Sequence, residues 1–234
     1  MTGPAPGAAG ADGRPAGGWV VRRLTGPAGR LHAEPLPERP GREVWVLRAT
    51  RPALVLGSTQ PEDVVDRAVA ARAGVEVVRR RSGGGAVLVV PSEMVWVDVI
   101  LPAGDPLWDD DVGRSALWLG EAWRGALASL GVSPTVVHEG ALACGPLDRL
   151  VCFAMSAAGE VSLPDGRKVV GISQRRTRAA ARFQCASYRR WQPDLLADLL
   201  GLDAVARRMV ARVAAGTGLA VEAVVSALLA HLPR

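Results

Sequence analysis

Gly166-Arg167-Lys168-Val169-Val170-Gly171-Ile172-Ser173-Gln174-Arg175-Arg176 holds the only lysine in a chain of 234 residues with 28 lysines and arginines. A group needed only as solvated charge could be arginine, as at every other basic position, so residue 168 points to a requirement for an amine. An ammonium is a compact donor on a flexible stem whose pKa responds to burial, whereas a guanidinium is planar and stays charged. The alternative is a surface lysine in an arginine-rich composition, and the neighbouring motifs decide between the two. Just upstream, Asp165-Gly166 is a hairpin turn signal that pairs residues 160–163 with 168–173 as antiparallel strands.

A second stretch, Arg79-Arg80-Arg81-Ser82-Gly83-Gly84-Gly85-Ala86-Val87, follows the strand pattern Val75-Glu76-Val77-Val78. Successive glycines reach dihedrals closed to other residues and let a ligand approach the backbone. An ordinary glycine turn has the same composition, and taken alone the run does not exclude it. The three arginines leave the strand on alternating sides, so at least one faces the turn and another faces solvent. The Ser82 hydroxyl could donate to a ligand or cap the turn.

Together with Leu56-Gly57-Ser58-Thr59-Gln60, these stretches resemble the catalytic domain of the lipoate-protein ligase, octanoyltransferase and biotin-ligase superfamily. That family carries "V-G-x-x-Q", "R-R-x-S-G-G-G-A-V" and "G-R-K-x-x-G-x-A-Q" in this order, and the resemblance extends from about residue 44 to about residue 200. It implies an α+β fold of the class II biotin/lipoate-ligase type: a mixed and antiparallel sheet flanked by helices, with a short helical C-terminal tail. It also implies that Lys168 hydrogen-bonds an acyl carbonyl and, in the ligases, the phosphate of an acyl-adenylate. An ammonium placed where negative charge develops on oxygen favours the transition state over the ground state. The acyl or adenylate group would be held by Arg80, Arg81, Ser82, Gly83, Gly84, Gly85 and Ala86 of the glycine stretch and by Gly171, Ser173 and Gln174 of the lysine stretch.

One octanoyltransferase branch has a "C-F" pair upstream of the lysine segment, which Cys152-Phe153 matches. There the cysteine carries the acyl group as a thioester, and a nearby ammonium would favour its thiolate. Free cysteines are also common small core residues, so both readings of Cys152 stand. Cys185 fits a second branch poorly and is expected in the core.

Two departures thin the polar site. The family's "H-D" after the glycine turn falls on Val89 and Val90, and its "H-G-S" or "H-G-T" on Gln184-Cys185-Ala186. The resemblance therefore implies an enzyme moving a lipoyl or octanoyl-type acyl group onto a lysine of a lipoyl-type carrier domain, with the acyl chain itself open. The donor is an acyl carrier protein in a transferase that needs no cofactor, or free lipoate or octanoate in a ligase that uses ATP and magnesium. A chain this short lacks room for the accessory domain of some ligases, which leans toward transfer. A non-catalytic acyl- or partner-binding module on the same fold is the rival from another class. No metal ligand set is read from the sequence.

Composition sets the frame. With 49% hydrophobic residues, the chain can bury one sizeable core. The expected organisation is a leader over 1–18, a catalytic domain over 19–200 and C-terminal helices over 201–234. The leader has no apolar run of the secretory kind, and no segment reaches the roughly 18 to 20 apolar residues of a membrane span. Cys144, Cys152 and Cys185 form no close pair, which fits reduced thiols in a cytoplasm. A net charge of +5 raises nucleic acid as a partner, but the basic stretches are read as lacking the aromatic interleaving that stacks bases. Clustered arginines at 175, 176, 178, 182, 189 and 190 equally suit an acidic carrier domain.

The remaining patterns predict strands at 19–24, 43–48 and 53–56, with an irregular connection before Arg42. A helix is expected from Pro61 to Gly74, a hairpin joining 86–90 to 94–100, and a long core helix from Asp109 to about Leu130. Strands are expected near Val136 and at 184–188, and short helices after Pro193. His138, at a strand edge, is assigned no role.

Overall fold

The computed structural model describes residues 18–234. All of the expected leader except Gly18 lies outside the described residues. The described residues fold as α+β, with two sheets and six α-helices.

The larger sheet is built around the most apolar strand. β6 (Met94–Pro102) is buried almost throughout, because Met94, Trp96 and Ile100 enter one core while Val95, Val97, Val99 and Leu101 enter another. A strand covered on both faces reads as a continuous apolar run. β2 (Glu43–Ala49) and β10 (Ala180–Tyr188) flank it antiparallel, with Val46 opposite Val97 and Cys185 opposite Val97 on the other side. β1 (Val20–Gly26) pairs parallel with β2 at one edge, and β9 (Lys168–Arg176), β8 (Val161–Ser162) and β7 (Val136–Val137) complete the order β1-β2-β6-β10-β9-β8-β7. The smaller sheet has β3 (Ala53–Leu56) between a parallel β4 (Glu76–Arg79) and an antiparallel β5 (Val87–Val89).

One core lies between the large sheet and α3 (Leu117–Ser129) with α6 (Val221–His231); Leu119, Trp123, Leu127, Val224 and Leu228 are buried there. Each such leucine contributes roughly 1.5–3 kcal/mol when fully buried. The opposite core joins the two sheets to α1 (Ala28–Ala33), α2 (Arg67–Arg72), α4 (Pro193–Leu199) and α5 (Ala204–Val213). Residues past 201 thus contribute to both cores through Val210, Val224, Val225 and Leu228. The link between α5 and α6 also docks on the site, since the Ala215 N–H donates to the Lys168 carbonyl at 2.9 Å.

Asp98 is the one charged group in β6. Its carboxylate accepts from Trp96 Nε1 at 2.9 Å and from Arg182 Nε at 2.6 Å. Arg182 also donates to the carbonyls of Leu31 and Glu34. A buried arginine whose three nitrogens all donate in this way fastens α1 to the sheet. α1 itself occupies the connection before Arg42 that was expected to be irregular.

Three further expectations need correction. The helix from Pro61 is two pieces, a 3-10 turn at Glu62–Val64 and then α2, because the Asp66 carboxylate accepts from the Val69 N–H and starts a new helix. The helix expected from Asp109 begins only at Leu117. The Asp109 and Asp111 carboxylates accept from the N–H groups of Asp111 and Gly113, and such local bonds compete with helix. Finally, β5 and β6 form no hairpin: they belong to different sheets, and the chain turns the corner at Pro91 and Ser92, the latter at φ 64°. The hairpin across Asp165-Gly166 is present, with Val161 opposite Val170 and Gly166 at φ 87°.

Candidate active site

The glycine stretch, the turn after β3 and the segment around Cys152 form one stitched unit. The Ala86 N–H donates to the Leu150 carbonyl at 2.8 Å, and the Cys152 N–H donates to the Ala86 carbonyl at 3.0 Å. A Cβ on Gly85 would lie 2.6 Å from the Val151 nitrogen, and one on Gly57 would lie 1.8 Å from the Gly84 carbonyl oxygen. Both positions therefore need glycine to let two backbones meet. Gln60 ties the same unit, donating through Nε2 to the Leu150 carbonyl and accepting from the Gly57 N–H. Gly83 is open on its side-chain face, and the N–H groups of Gly83 and Gly84 find no acceptor among the described residues.

The arginines divide as alternation requires. Arg80 points inward and is buried, donating to the carbonyls of Val55, Gly83 and Gly85, so its guanidinium braces the loop while lining the inner cavity described below. Arg79 holds the preceding turn through the carbonyls of Gly57 and Gln60. Arg81, expected among the binding residues, is exposed and lines neither cavity at the site. It follows the one inward-facing arginine and turns to solvent. Gly85 and Ala86 likewise line neither cavity; they serve the stitching to Val151 and Cys152.

Cys152 stands where two cavities meet. An outer one of about 550 Å3 is lined by Ser82, Gly83, Gly84, Glu160, Ser173 and Gln174 among others, and includes Cys152. An inner one of about 40 Å3 is apolar, walled by Val87, Met94, Trp96 and Phe153, and also includes Cys152. The thiol is half-buried over the glycine loop, 3.6 Å from where a Gly84 Cβ would sit. Cys185 is fully buried, and burial pushes its thiol well up. Cys144 is exposed, and its hydrogen bond with Asp148 holds its thiol up.

Lys168 opens β9 and is buried, with side-chain exposure of only 1%. Its Nζ donates to Glu160 Oε2 at 2.5 Å and to the Cys152 carbonyl at 3.3 Å, and lies 5.3 Å from the centre of the Phe153 ring. Lys168 is not part of either cavity wall; Glu160 stands between it and the outer cavity. Glu160 also accepts from the N–H groups of Ala157 and Ile172 at 2.8 and 3.0 Å. Gly171 makes room for the Phe153 ring, which a Cβ would meet at 3.1 Å.

A polar chain crosses the floor of the site. Ser82 Oγ donates to Gln184 Oε1 at 3.1 Å and lies 3.4 Å from Ser173 Oγ, while Gln184 Nε2 is 3.1 Å from His32 Nδ1. His32 packs its ring 4.5 Å from that of Trp96. Burial, then the charges of Arg80 and Arg182, lower its pKa to about 3, so the imidazole is neutral. Gln174 bonds the Ser115 hydroxyl at 2.9 Å at the rim of the outer cavity.

Glu160, His32 and Gln184 thus line the two cavities in addition to the candidate residues read from the sequence. Glu160 had a signal, since the hairpin across Asp165-Gly166 brings its strand back along the lone lysine. His32 had none, because it sits on a short helix in a segment rich in proline and glycine. Among the described residues, no three His, Cys, Asp or Glu side chains converge to hold a metal ion, and no helix is long and apolar enough to cross a membrane.

The fold that holds these residues is that of a lipoyl protein ligase catalytic domain. Residues 32–232 match the lipoyl protein ligase A/B catalytic domain, and the chain belongs to that family. It is accordingly an enzyme of lipoate attachment, an acyltransferase or a ligase. Among solved structures, the fold is similar to that of a protein from T. acidophilum with bound lipoic acid. The TM-score is 0.69 at 17% identity, over 92% of this chain and 83% of that one. It is also similar to a lipoate-protein ligase A bound with ATP (TM-score 0.67, 16% identity, 92% of this chain and 84% of that one). A third is a bi-partite lipoate protein ligase from Thermoplasma acidophilum, described with its E2 lipoyl domain (TM-score 0.66, 18% identity, 92% and 81%). No curated protein sequence matches the chain.

Proposed function

We propose that this protein transfers a lipoyl or octanoyl-type acyl group onto a lysine of a lipoyl-type carrier domain, through a thioester on Cys152. The observation that carries this reading is the position of the Cys152 thiol at the junction of an apolar inner cavity and an open outer one. The apolar walls of the inner cavity suit an acyl chain, and the outer cavity admits the donor and the target lysine.

In the first step Cys152 Sγ attacks the carbonyl carbon of an acyl thioester on an acyl carrier protein. A new S–C bond forms, the donor's S–C bond breaks, and the departing thiol keeps the proton that Cys152 gives up. In the second step the target amine attacks the enzyme thioester. An amide bond forms, the Cys152 S–C bond breaks, and the amine's proton passes to the thiol. The free N–H groups of Gly83 and Gly84 supply donors for the oxyanion of each step. Lys168 acts from behind: its hydrogen bond to the Cys152 carbonyl and its pair with Glu160 fix the residue that carries the nucleophile.

A ligase route would use ATP, and the outer cavity has room for a nucleotide. A magnesium ion would enter with the nucleotide, since it is held by one or two carboxylates together with the phosphates. The reading also places the enzyme in the cytoplasm, with a basic surface that suits an acidic carrier domain.

Incubation with octanoyl-acyl carrier protein, followed by mass spectrometry of the intact enzyme, tests the proposal. An octanoyl adduct on Cys152 that chases onto an added lipoyl domain without ATP is expected. Transfer that requires ATP and releases pyrophosphate would replace the transferase by a ligase. Acyl binding with no transfer under either condition would leave a binding module.

A further inference from the structure

The inner cavity is too small for its cargo as it stands. Its volume of about 40 Å3 has room for roughly three water molecules, so an acyl chain enters only if part of the wall moves. Val89, Met94 and Trp96 line this cavity, and the same three residues line a second groove of about 290 Å3 on their far side. The partition between the two is therefore a single layer of side chains.

Only one of the three can swing aside cheaply. Trp96 is pinned by the bond from Nε1 to Asp98 and by its contact with His32. Val89 is a branched residue on β5, paired with Ala53, and branching leaves it little rotamer freedom. Met94 is unbranched, has three rotatable bonds and adapts its shape readily. Beyond it the groove runs between Leu47 and Ala49 of β2, the corner at Val90 and Pro91, and Ala220 and Val221 at the start of α6. Its charged members, Arg48 and Glu222, are exposed. Val89 lines both spaces and Val90 the groove, so neither places a polar group across the passage.

Building on the acyl-transfer reading above, we propose that the acyl site is a through-passage gated by Met94, and that it takes linear saturated acyl groups longer than eight carbons. Their tails would lie in the groove between β2 and α6. Each methylene passing the partition then leaves water for an apolar wall, which strengthens binding by roughly fourfold per carbon. The first three or four carbons, about the volume of three waters, would fill the inner space, and the rest of a longer chain would gain from the groove.

The test is calorimetric titration of the full-length protein with free saturated fatty acids of six to sixteen carbons, run beside thioester formation from the matching acyl carrier proteins. Affinity should keep rising beyond eight carbons. Ala220→Trp, at an exposed position in the groove, should lower the ratio of twelve-carbon to eight-carbon affinity at least tenfold; a thermal melt checks that it folds. Affinity that peaks at eight carbons or fewer, or a ratio indifferent to A220W, overturns the passage. That result leaves the transfer reading intact if Cys152 still forms its thioester. A rising series without any thioester would support the passage and remove the transferase.

Discussion

Lys168 Nζ and Glu160 Oε2 lie 2.5 Å apart with side-chain exposures of 1% and 4%, the amine's remaining polar contact being the Cys152 carbonyl. Taking two charges out of water costs several kcal/mol per ion, and mutual attraction offsets this only when the remaining lone pairs are also used. Glu160 meets that condition with two backbone N–H donors. Removing one partner alone strands the other. Lys168→Met and Glu160→Gln should each destabilise the protein by about 3–5 kcal/mol, while the double variant should lose much less than their sum. Urea unfolding of the four proteins makes the measurement. Additive losses would show that the two groups do not act as a pair.

The three cysteines give a sharper contrast. Cys152 is half-buried at the cavity junction, whereas Cys185 is sealed in the core between strands. Cys152→Ala should abolish the acyl adduct while changing stability by no more than about 1 kcal/mol. Cys185→Ala should cost roughly 1–2 kcal/mol through the void it leaves and keep the adduct. Intact mass and thermal denaturation read both variants, and an adduct that persists in C152A removes the proposed nucleophile.

The glycines of the loop are not equivalent. A methyl group on Gly57 or Gly85 would run into backbone at 1.8 or 2.6 Å, whereas one on Gly83 meets nothing within 4 Å. Gly57→Ala and Gly85→Ala should therefore lose about 1–3 kcal/mol or more. Gly83→Ala should stay within about 0.5 kcal/mol of the parent, yet slow acyl transfer, because its methyl projects into the outer cavity. Equal melting temperatures for the three variants would contradict the stitching of this loop to Val151.

Much of the fold was legible because its strands carry strong local signals. β6 reads as an apolar run, the β8–β9 turn as Asp-Gly, and the family motifs sit where strands end. Local polar competition hid the rest: Asp66, Asp109 and Asp111 each use a carboxylate on nearby N–H groups, which moves helix boundaries no periodicity reports. The corner at Pro91 and Ser92 sends β5 and β6 to different sheets, a choice made by long-range packing. At the site, spacing could not say which arginine turns inward, and the structure selects Arg80. Nor could any motif find His32, whose place beside Gln184 depends on Arg182 and Asp98 fastening α1 to the sheet.

That placement has a consequence for acid stability. In the unfolded chain His32 has the ordinary histidine pKa of 6.5, and in the folded protein burial beside Arg80 and Arg182 lowers it to about 3. The unfolded state therefore takes up a proton first as pH falls. Its contribution to stability is fully present above pH 6.5 and is lost progressively as pH drops toward the folded value. The loss is at most about 1.4 kcal/mol per pH unit across that window. His32→Gln keeps a polar group beside Gln184 but removes the titration, so the stability of the variant should fall less steeply than that of the parent between about pH 7 and about pH 5. Urea midpoints measured across this range decide the matter: two parallel curves would mean that the imidazole is not held neutral against the sheet, and α1 would then have to sit more loosely over the inner cavity than its bonds to Arg182 imply.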